Sequence, residues 1–164
     1  MENKRYESRF FYVELFAVLG LGLVVSYLDP TDLAVNGNNS FSSIDLAMRW
    51  VGVGMVLSGI IIRLVAIVTL KKNFSGRLRI REGHTLVKNG IYHWIRHPAY
   101  LGLIVLYLGV PLIVSSVLGF LVILLIVPLL LHRIKLEERM LIERFGAEYE
   151  EYRRHSKRLI PFVY

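Results

Sequence analysis

Four long apolar runs constrain the fold of this chain more than any other feature of its sequence. They cover residues 10–28, 46–70, 99–115 and 117–131. The first run, like the longer second run, has roughly the 20 residues that a helix needs to cross the hydrocarbon core of a bilayer. The hydrophobic share of the sequence, 54%, and its mean hydropathy of +0.49 are high for a water-soluble domain. The sequence therefore predicts an integral membrane protein.

The spacing of the runs predicts the architecture. The third and fourth runs meet at Ser115 and Ser116, so we expect these two helices to form a tight hairpin. The predicted fold class is an all-α integral membrane protein with about four transmembrane helices and a cytoplasmic C-terminal helical segment. We expect one domain over residues 1–164, with two spans in residues 1–70 and a loop, the hairpin and C-terminal helices in residues 71–164.

The basic residues predict the orientation in the membrane. They cluster in the N-terminal tail, in residues 71–96 and in the C-terminal tail, whereas the polar loop over residues 29–43 has no Lys or Arg. Cytoplasmic loops of membrane proteins carry an excess of Lys and Arg. Both termini and residues 71–96 are therefore predicted to be cytoplasmic, and four spans satisfy this alternation.

The charge and the cysteine count exclude several functions. A net charge of +7 is compatible with nucleic-acid binding, but the basic residues flank apolar runs, as they do in membrane proteins. We therefore expect a lipid membrane as partner and no nucleic acid. The absence of cysteine excludes disulfides and thiolate metal sites. The histidines lie at or outside the predicted membrane edge, which argues against a haem pair, and no metal is expected.

Charged residues interrupt the first two apolar runs. Arg49 lies one turn after Asp45, and we expect a local ion pair there. Glu14 and Arg63 lie toward the cytoplasmic ends of their runs. They are expected to pair between the first two helices, or Arg63 extends to the membrane interface.

The C-terminal part has a different pattern. Over residues 132–155, acidic and basic residues alternate with an apolar face that recurs every three to four positions. The residues of this face are Leu141, Phe145, Tyr149 and Tyr152. We expect a helix that leaves the membrane, is broken at Gly146 and lies near the surface, followed by an apolar tail that packs back on the domain.

Residues 84–102, HTLVKNGIYHWIRHPAYLG, hold the densest run of unusual residue types. Pro98 suits the first turn of a helix, and the residue before a proline favours an extended conformation. The free N–H groups at such a helix start favour a ligand with negative charge or lone pairs. The side chains expected around this helix start are Tyr92, Arg96, His97 and Tyr100.

This stretch resembles the signature of the isoprenylcysteine carboxyl methyltransferase family. The family belongs to a wider group of integral-membrane methyltransferases that includes phospholipid methyltransferases. The residues that carry the resemblance are Gly90, Tyr92, Arg96, His97, Pro98, Tyr100 and Gly102, preceded by His84, Leu86 and Val87. The resemblance implies methyl transfer from S-adenosyl-L-methionine, with S-adenosylhomocysteine as product.

The resemblance also implies a set of site residues. The cofactor residues would be His84, Thr85, Leu86, Val87, Tyr92, His97, Pro98, Ala99, Tyr100 and Glu137. Arg133 would be the catalytic residue that meets the carboxylate of the methyl acceptor. Arg133 and Glu137 are four residues apart, so they share one helix face. That face is expected at the same membrane depth as the start of the third run.

The chemistry of a carboxylate acceptor agrees with these residue types. A carboxylate is ionised at pH 7 and needs no general base. It needs a cation that orients it, and the planar fork of an arginine suits that role. We therefore expect an isoprenylcysteine-like or other lipophilic carboxylate that enters from the bilayer.

Two alternatives remain open from the sequence. The same fold would also suit methylation of a phospholipid amine headgroup or a small thiol. A neutral amine must lose a proton, so such an enzyme needs a base, for which His97, Glu138 and Glu14 are candidates. The other alternative is a non-enzymatic four-helix membrane scaffold, which would not need the signature residues at these spacings.

Overall fold

The computed structural model describes residues 11–29, 43–71 and 85–160. Within them the chain forms six α-helices, one short 3-10 helix at Gly90–His93 and no strand longer than an isolated bridge. The α-helices are α1 (Phe11–Leu28), α2 (Ser43–Leu70), α3 (Pro98–Ile113), α4 (Val117–Leu124), α5 (Ile126–Phe145) and α6 (Ala147–His155).

Three helical stretches are long and apolar enough to cross a membrane. They are Phe11–Leu28, Ser43–Leu70 and the nearly continuous α4–α5 unit over Val117–Phe145, while α3 is shorter at 16 residues. Large apolar side chains on these helices face outward, with Phe16 66% and Trp50 67% exposed. A helix whose outer face is apolar needs lipid rather than water around it. The expectation of an all-helical membrane protein is confirmed, and the fourth span stays a prediction.

α2 and α3 pack so closely that their backbones touch. Gly59 on α2 faces Gly102 on α3, and seven residues along each helix Gly52 faces Gly109. A Cβ atom on Gly59 would lie 2.6 Å from the carbonyl oxygen of Gly102, and one on Gly102 would lie 2.7 Å from that of Gly59. Small residues are the usual means by which membrane helices approach this closely. The two contacts fix the depth of α3 against α2.

This packing brings the Arg63 side chain close to the start of α3. This residue lies one turn after Gly59, and its guanidinium donates a hydrogen bond to the backbone oxygen of Ala99 at 3.1 Å. Glu14 is exposed on α1. The expected pairing of Glu14 with Arg63 is therefore wrong, because the glycine contacts bring Arg63 to the start of α3 instead.

A buried polar cluster joins the other end of α3 to α1. Ser115 has a φ of 56° in the turn that leads into α4. The Ser116 hydroxyl accepts from the Gly119 N–H at 2.9 Å and donates to Asp29 Oδ2 at 2.6 Å. Asp29 also accepts from the N–H of Leu118 at 3.2 Å, so it caps α4 from the end of α1.

The remaining helix boundaries follow the sequence signals. The expected ion pair between Arg49 and Asp45 is present at 3.4 Å. Gly146 ends α5 with a φ of 53°, which residues with side chains rarely adopt, and α6 begins at the next residue. Residues 1–10, 30–42, 72–84 and 161–164 lie outside the described residues. They include most of the polar loop, half of the basic segment and much of the apolar tail.

We expect Gly59→Ala to lower the thermal unfolding midpoint of the detergent-purified protein. The added methyl group would overlap the α3 backbone, and overpacking of this kind costs about 1–3 kcal/mol. Gly54→Ala is the matched control, since a Cβ at Gly54 has no atom within 4 Å and alanine is the better helix former. Equal midpoints for the two variants would contradict this view of the contact.

Candidate functional site

The loop that leads into α3 carries several residues of the candidate site. It consists of residues 90–97, here called the signature loop. It begins at Gly90, whose φ is 60°, makes one 3-10 turn and ends at His97. Pro98 then occupies the first turn of α3, as the sequence predicts. The tyrosine of this loop, Tyr92, and His97 are both buried.

A second segment, residues 156–160, runs along the signature loop and is here called the C-terminal strap. The N–H of Arg96 donates to the Lys157 oxygen at 2.7 Å, and the N–H of His97 donates to the Arg158 oxygen at 3.1 Å. In return, Lys157 donates to the oxygen of Trp94 at 2.9 Å. The first and third of these bonds form an isolated parallel bridge between Ile95 and Lys157. The strap therefore satisfies backbone groups that the loop leaves free just before α3.

Glu138 on α5 connects the loop to the strap. Its Oε1 accepts from Arg96 Nε at 3.0 Å, and its Oε2 accepts from Arg158 Nη2 at 2.8 Å. The Glu138 and Arg96 side chains are 6% and 8% exposed. A buried carboxylate is tolerated when cations and hydrogen-bond donors surround it. Glu138 therefore forms ion pairs with two arginines, Arg96 and Arg158.

Arg96 and His97 complete this network. The Arg96 guanidinium also donates to the backbone oxygens of Arg153 and Ser156, near the C-terminal end of α6. The His97 Nε2 atom lies 3.5 Å from Glu138 Oε1, and it has no hydrogen-bond partner among the described residues. A buried polar atom without a partner is uncommon and is a candidate contact for a ligand.

A second cluster lies one residue earlier on α5. The Tyr100 hydroxyl donates to Glu137 Oε2 at 2.7 Å, which joins α3 to α5. Arg133, one turn before Glu137, lies beside the Tyr100 hydroxyl and is 3% exposed. The expectation that Glu137 and Tyr100 lie together at the start of α3 is confirmed by this distance.

Tyr92 faces the same carboxylate from the signature loop. Burial, and then the Glu137 charge, raises the pKa of the Tyr92 phenol above its ordinary value. Burial likewise raises the pKa of Tyr152 to about 12, and the Tyr152 hydroxyl donates to the backbone oxygen of Tyr92 at 2.6 Å. Both phenols are thus neutral at physiological pH, and Tyr92 is available as a donor beside Glu137.

The predicted site residues fall into three groups. Those gathered around the start of α3 are Tyr92, His97, Pro98, Ala99, Tyr100, Arg133 and Glu137. Thr85 is exposed, and Leu86 and Val87 are half-buried in the segment that leads to the signature loop. His84 lies outside the described residues. The roles of all these residues in binding stay predictions.

Sequence reasoning missed several residues of the site. It did not pair Glu138 with Arg96 and Arg158, and it did not place Phe11 or Tyr12 there. In the structure, Phe11 and Tyr12 on α1 contact the Arg133 guanidinium. The basic residue within the signature, Arg96, was the one available signal, because a buried arginine requires an acidic partner.

Comparison with known proteins gives consistent matches. The model of the isoprenylcysteine carboxyl methyltransferase family matches residues 51–143. Protein-S-isoprenylcysteine O-methyltransferase of Saccharomyces cerevisiae is 34% identical over 151 residues, which cover 90% of this chain and 61% of the yeast protein. The probable protein-S-isoprenylcysteine O-methyltransferase of Oryza sativa subsp. japonica is 33% identical over 119 residues, which cover 71% of this chain and 62% of the rice protein.

A solved structure supports the same relationship. It is that of a eukaryotic intramembrane Ras methyltransferase, isoprenylcysteine carboxyl methyltransferase, and it superposes with a TM-score of 0.71 at 25% sequence identity. The match covers 96% of this chain and 54% of that one. The chain thus spans about three fifths of the length of the curated relatives named above.

We expect Glu138→Gln to destabilise the protein by about 3 kcal/mol, because it leaves two arginines around an uncharged group. The thermal unfolding midpoint in detergent checks this. Glu150→Gln is the control, since it removes an exposed ion pair with Arg153, a class of pair worth about 1 kcal/mol or less. An unchanged midpoint for Glu138→Gln would show that the network does not hold the loop and strap together.

Proposed function

Because this chain belongs to the isoprenylcysteine carboxyl methyltransferase family, we propose that it is an integral-membrane methyltransferase that uses S-adenosyl-L-methionine to methylate a lipophilic carboxylate. The proposed acceptor class is an isoprenylcysteine-like carboxylate. The observation that carries the proposal is the joint placement of Arg133, Glu137 and Tyr100 beside the signature loop. A buried cation and a half-buried carboxylate at one helix start suit two ligands of different charge.

The proposed membrane arrangement has four spans. α3 and the α4–α5 unit form a hairpin around the buried serines Ser115 and Ser116, and α3 is roughly 24 Å long at 1.5 Å per residue. Its close contact with the longer α2 supports a membrane position. By the distribution of basic residues, both termini and the start of α3 are cytoplasmic. The cofactor then reaches the site from the cytoplasm and the acceptor from the bilayer.

The residues around the start of α3 fit the proposed cofactor. When bound, S-adenosyl-L-methionine supplies a methyl group activated by a positively charged sulfonium. The Glu137 carboxylate is a suitable partner for the positive charges of such a ligand, and the buried His97 Nε2 atom makes only a long contact of 3.5 Å, to Glu138. The proposed cofactor residues are His84, Thr85, Leu86, Val87, Tyr92, His97, Pro98, Ala99, Tyr100 and Glu137.

Arg133 is the proposed partner of the acceptor carboxylate. A carboxylate is already ionised at pH 7, so the reaction needs orientation and exclusion of water rather than removal of a proton. The buried guanidinium provides a planar donor for such a group. Glu138, a candidate base for an amine acceptor, is instead held by Arg96 and Arg158, which favours the carboxylate.

We expect Glu137→Ala to weaken binding of S-adenosylhomocysteine about 10- to 100-fold, the range for loss of a hydrogen bond to a charged group. Isothermal titration of the detergent-purified protein checks this, with His97→Ala as a second variant and the exposed Glu150→Ala as control. Normal affinity in both site variants would reject the proposed cofactor residues. A folded wild type that binds nothing would favour the membrane scaffold.

We expect Arg133→Ala to keep its affinity for S-adenosylhomocysteine and to lose methylation of N-acetyl-S-farnesylcysteine, because only the acceptor loses its cation. Arg133→Lys should retain a small part of the activity, since lysine supplies the charge without the planar fork. The control is Arg139→Ala, an exposed arginine on the same helix. Wild-type rates in Arg133→Ala would remove this residue from the acceptor site.

A further inference from the structure

Two aromatic residues at the start of α1 hold the guanidinium group of Arg133. Its Cζ atom lies 4.2 Å from the centre of the Phe11 ring and 5.2 Å from that of Tyr12. Arg133 Nη2 also donates to the Tyr12 hydroxyl at 3.3 Å. The two rings meet edge to face, with 76° between their planes. α1 therefore contacts the guanidinium through two aromatic rings and one hydrogen bond.

These contacts restrict the movement of the guanidinium group. The Phe11 ring, whose centre lies 4.2 Å from the guanidinium carbon, makes a cation–π contact that favours one position for the cation. The bond to the Tyr12 hydroxyl favours one orientation of its N–H groups. Recognition of a carboxylate by a pair of parallel N–H groups depends on both position and orientation. The orientation of the Arg133 guanidinium is thus set in part from α1.

We propose that Phe11 and Tyr12 are positioning residues for the methyl acceptor, acting through the orientation of Arg133. This inference rests on the proposed function, in which Arg133 binds the acceptor carboxylate. It extends the site to a helix that precedes residues 51–143, the part of the chain that the family model matches. Neither residue belongs to the signature loop or to the cofactor residues.

The Tyr12 hydroxyl distinguishes this role from ordinary helix packing. α1 already packs through an apolar cluster in which Phe11 and Leu15 meet Ile126 and Leu130 of α5. If position 12 only packed against this cluster, a phenylalanine would do as well as the tyrosine. A hydroxyl group near an apolar cluster costs free energy unless it forms a hydrogen bond. The Tyr12 hydroxyl accepts a hydrogen bond from Arg133. Removing this hydroxyl therefore affects the guanidinium and leaves the aromatic ring in place.

Tyr12→Phe tests the inference, with Tyr27→Phe as the matched control. Tyr27 is on the same helix at its other end and is 89% exposed, so this control also removes one hydroxyl from α1. The measurements are kcat/KM for N-acetyl-S-farnesylcysteine and the Kd for S-adenosylhomocysteine. We expect Tyr12→Phe to lower kcat/KM about fivefold, the effect of one ordinary hydrogen bond, without change in Kd. Tyr27→Phe should match the wild type in both.

Phe11→Leu is a second variant that keeps an apolar side chain in the cluster and removes the aromatic face. The same selective fall in kcat/KM is expected. Unchanged acceptor kinetics in Tyr12→Phe, or a fall matched by an equal loss of cofactor affinity, overturns the inference while the proposed function stands. A wild type that binds S-adenosylhomocysteine but leaves the probe unmethylated overturns the proposed acceptor, and this inference with it.

Discussion

The ion pairs of Glu138 are the interaction on which the candidate site depends. One buried carboxylate holds an arginine of the signature loop and an arginine of the C-terminal strap against α5. The preceding residue, Glu137, points to Tyr100 instead. Successive residues on a helix point about 100° apart, so two adjacent glutamates serve two different faces. Glu138 holds the signature loop against α5, and Glu137 points toward the candidate site at the start of α3.

Helix packing determines where that site lies. The paired glycines of α2 and α3 fix the depth at which α3 begins, and Arg63 then bonds to the backbone at that point. The Asp29–Ser116 contact fixes the opposite end of α3. The start of α3 is thus restrained by apolar packing from one side and by ion pairs from the other. This placement suits a site where a soluble ligand and a membrane-borne ligand meet.

The sequence predicted local features well and distant contacts poorly. The helix start at Pro98, the break at Gly146 and the Arg49–Asp45 pair all depend on residues within one turn of each other, and all are present. The Glu138 network joins residues 42 and 20 positions apart, for which helix periodicity carries no signal. The contact of Tyr12 with Arg133 spans 121 positions and arises only when α1 packs on α5.

The C-terminal strap has a consequence for biosynthesis. The strap residues that pair with the signature loop follow it by about sixty residues along the chain, so α3, α4 and α5 are all synthesised before them. Until then, the backbone groups of Trp94, Arg96 and His97 lack the partners they have in the folded protein. The loop can therefore be completed only after these helices have been synthesised. A chain that stopped before the strap would contain α3, α4 and α5 but would lack the backbone partners of the signature loop.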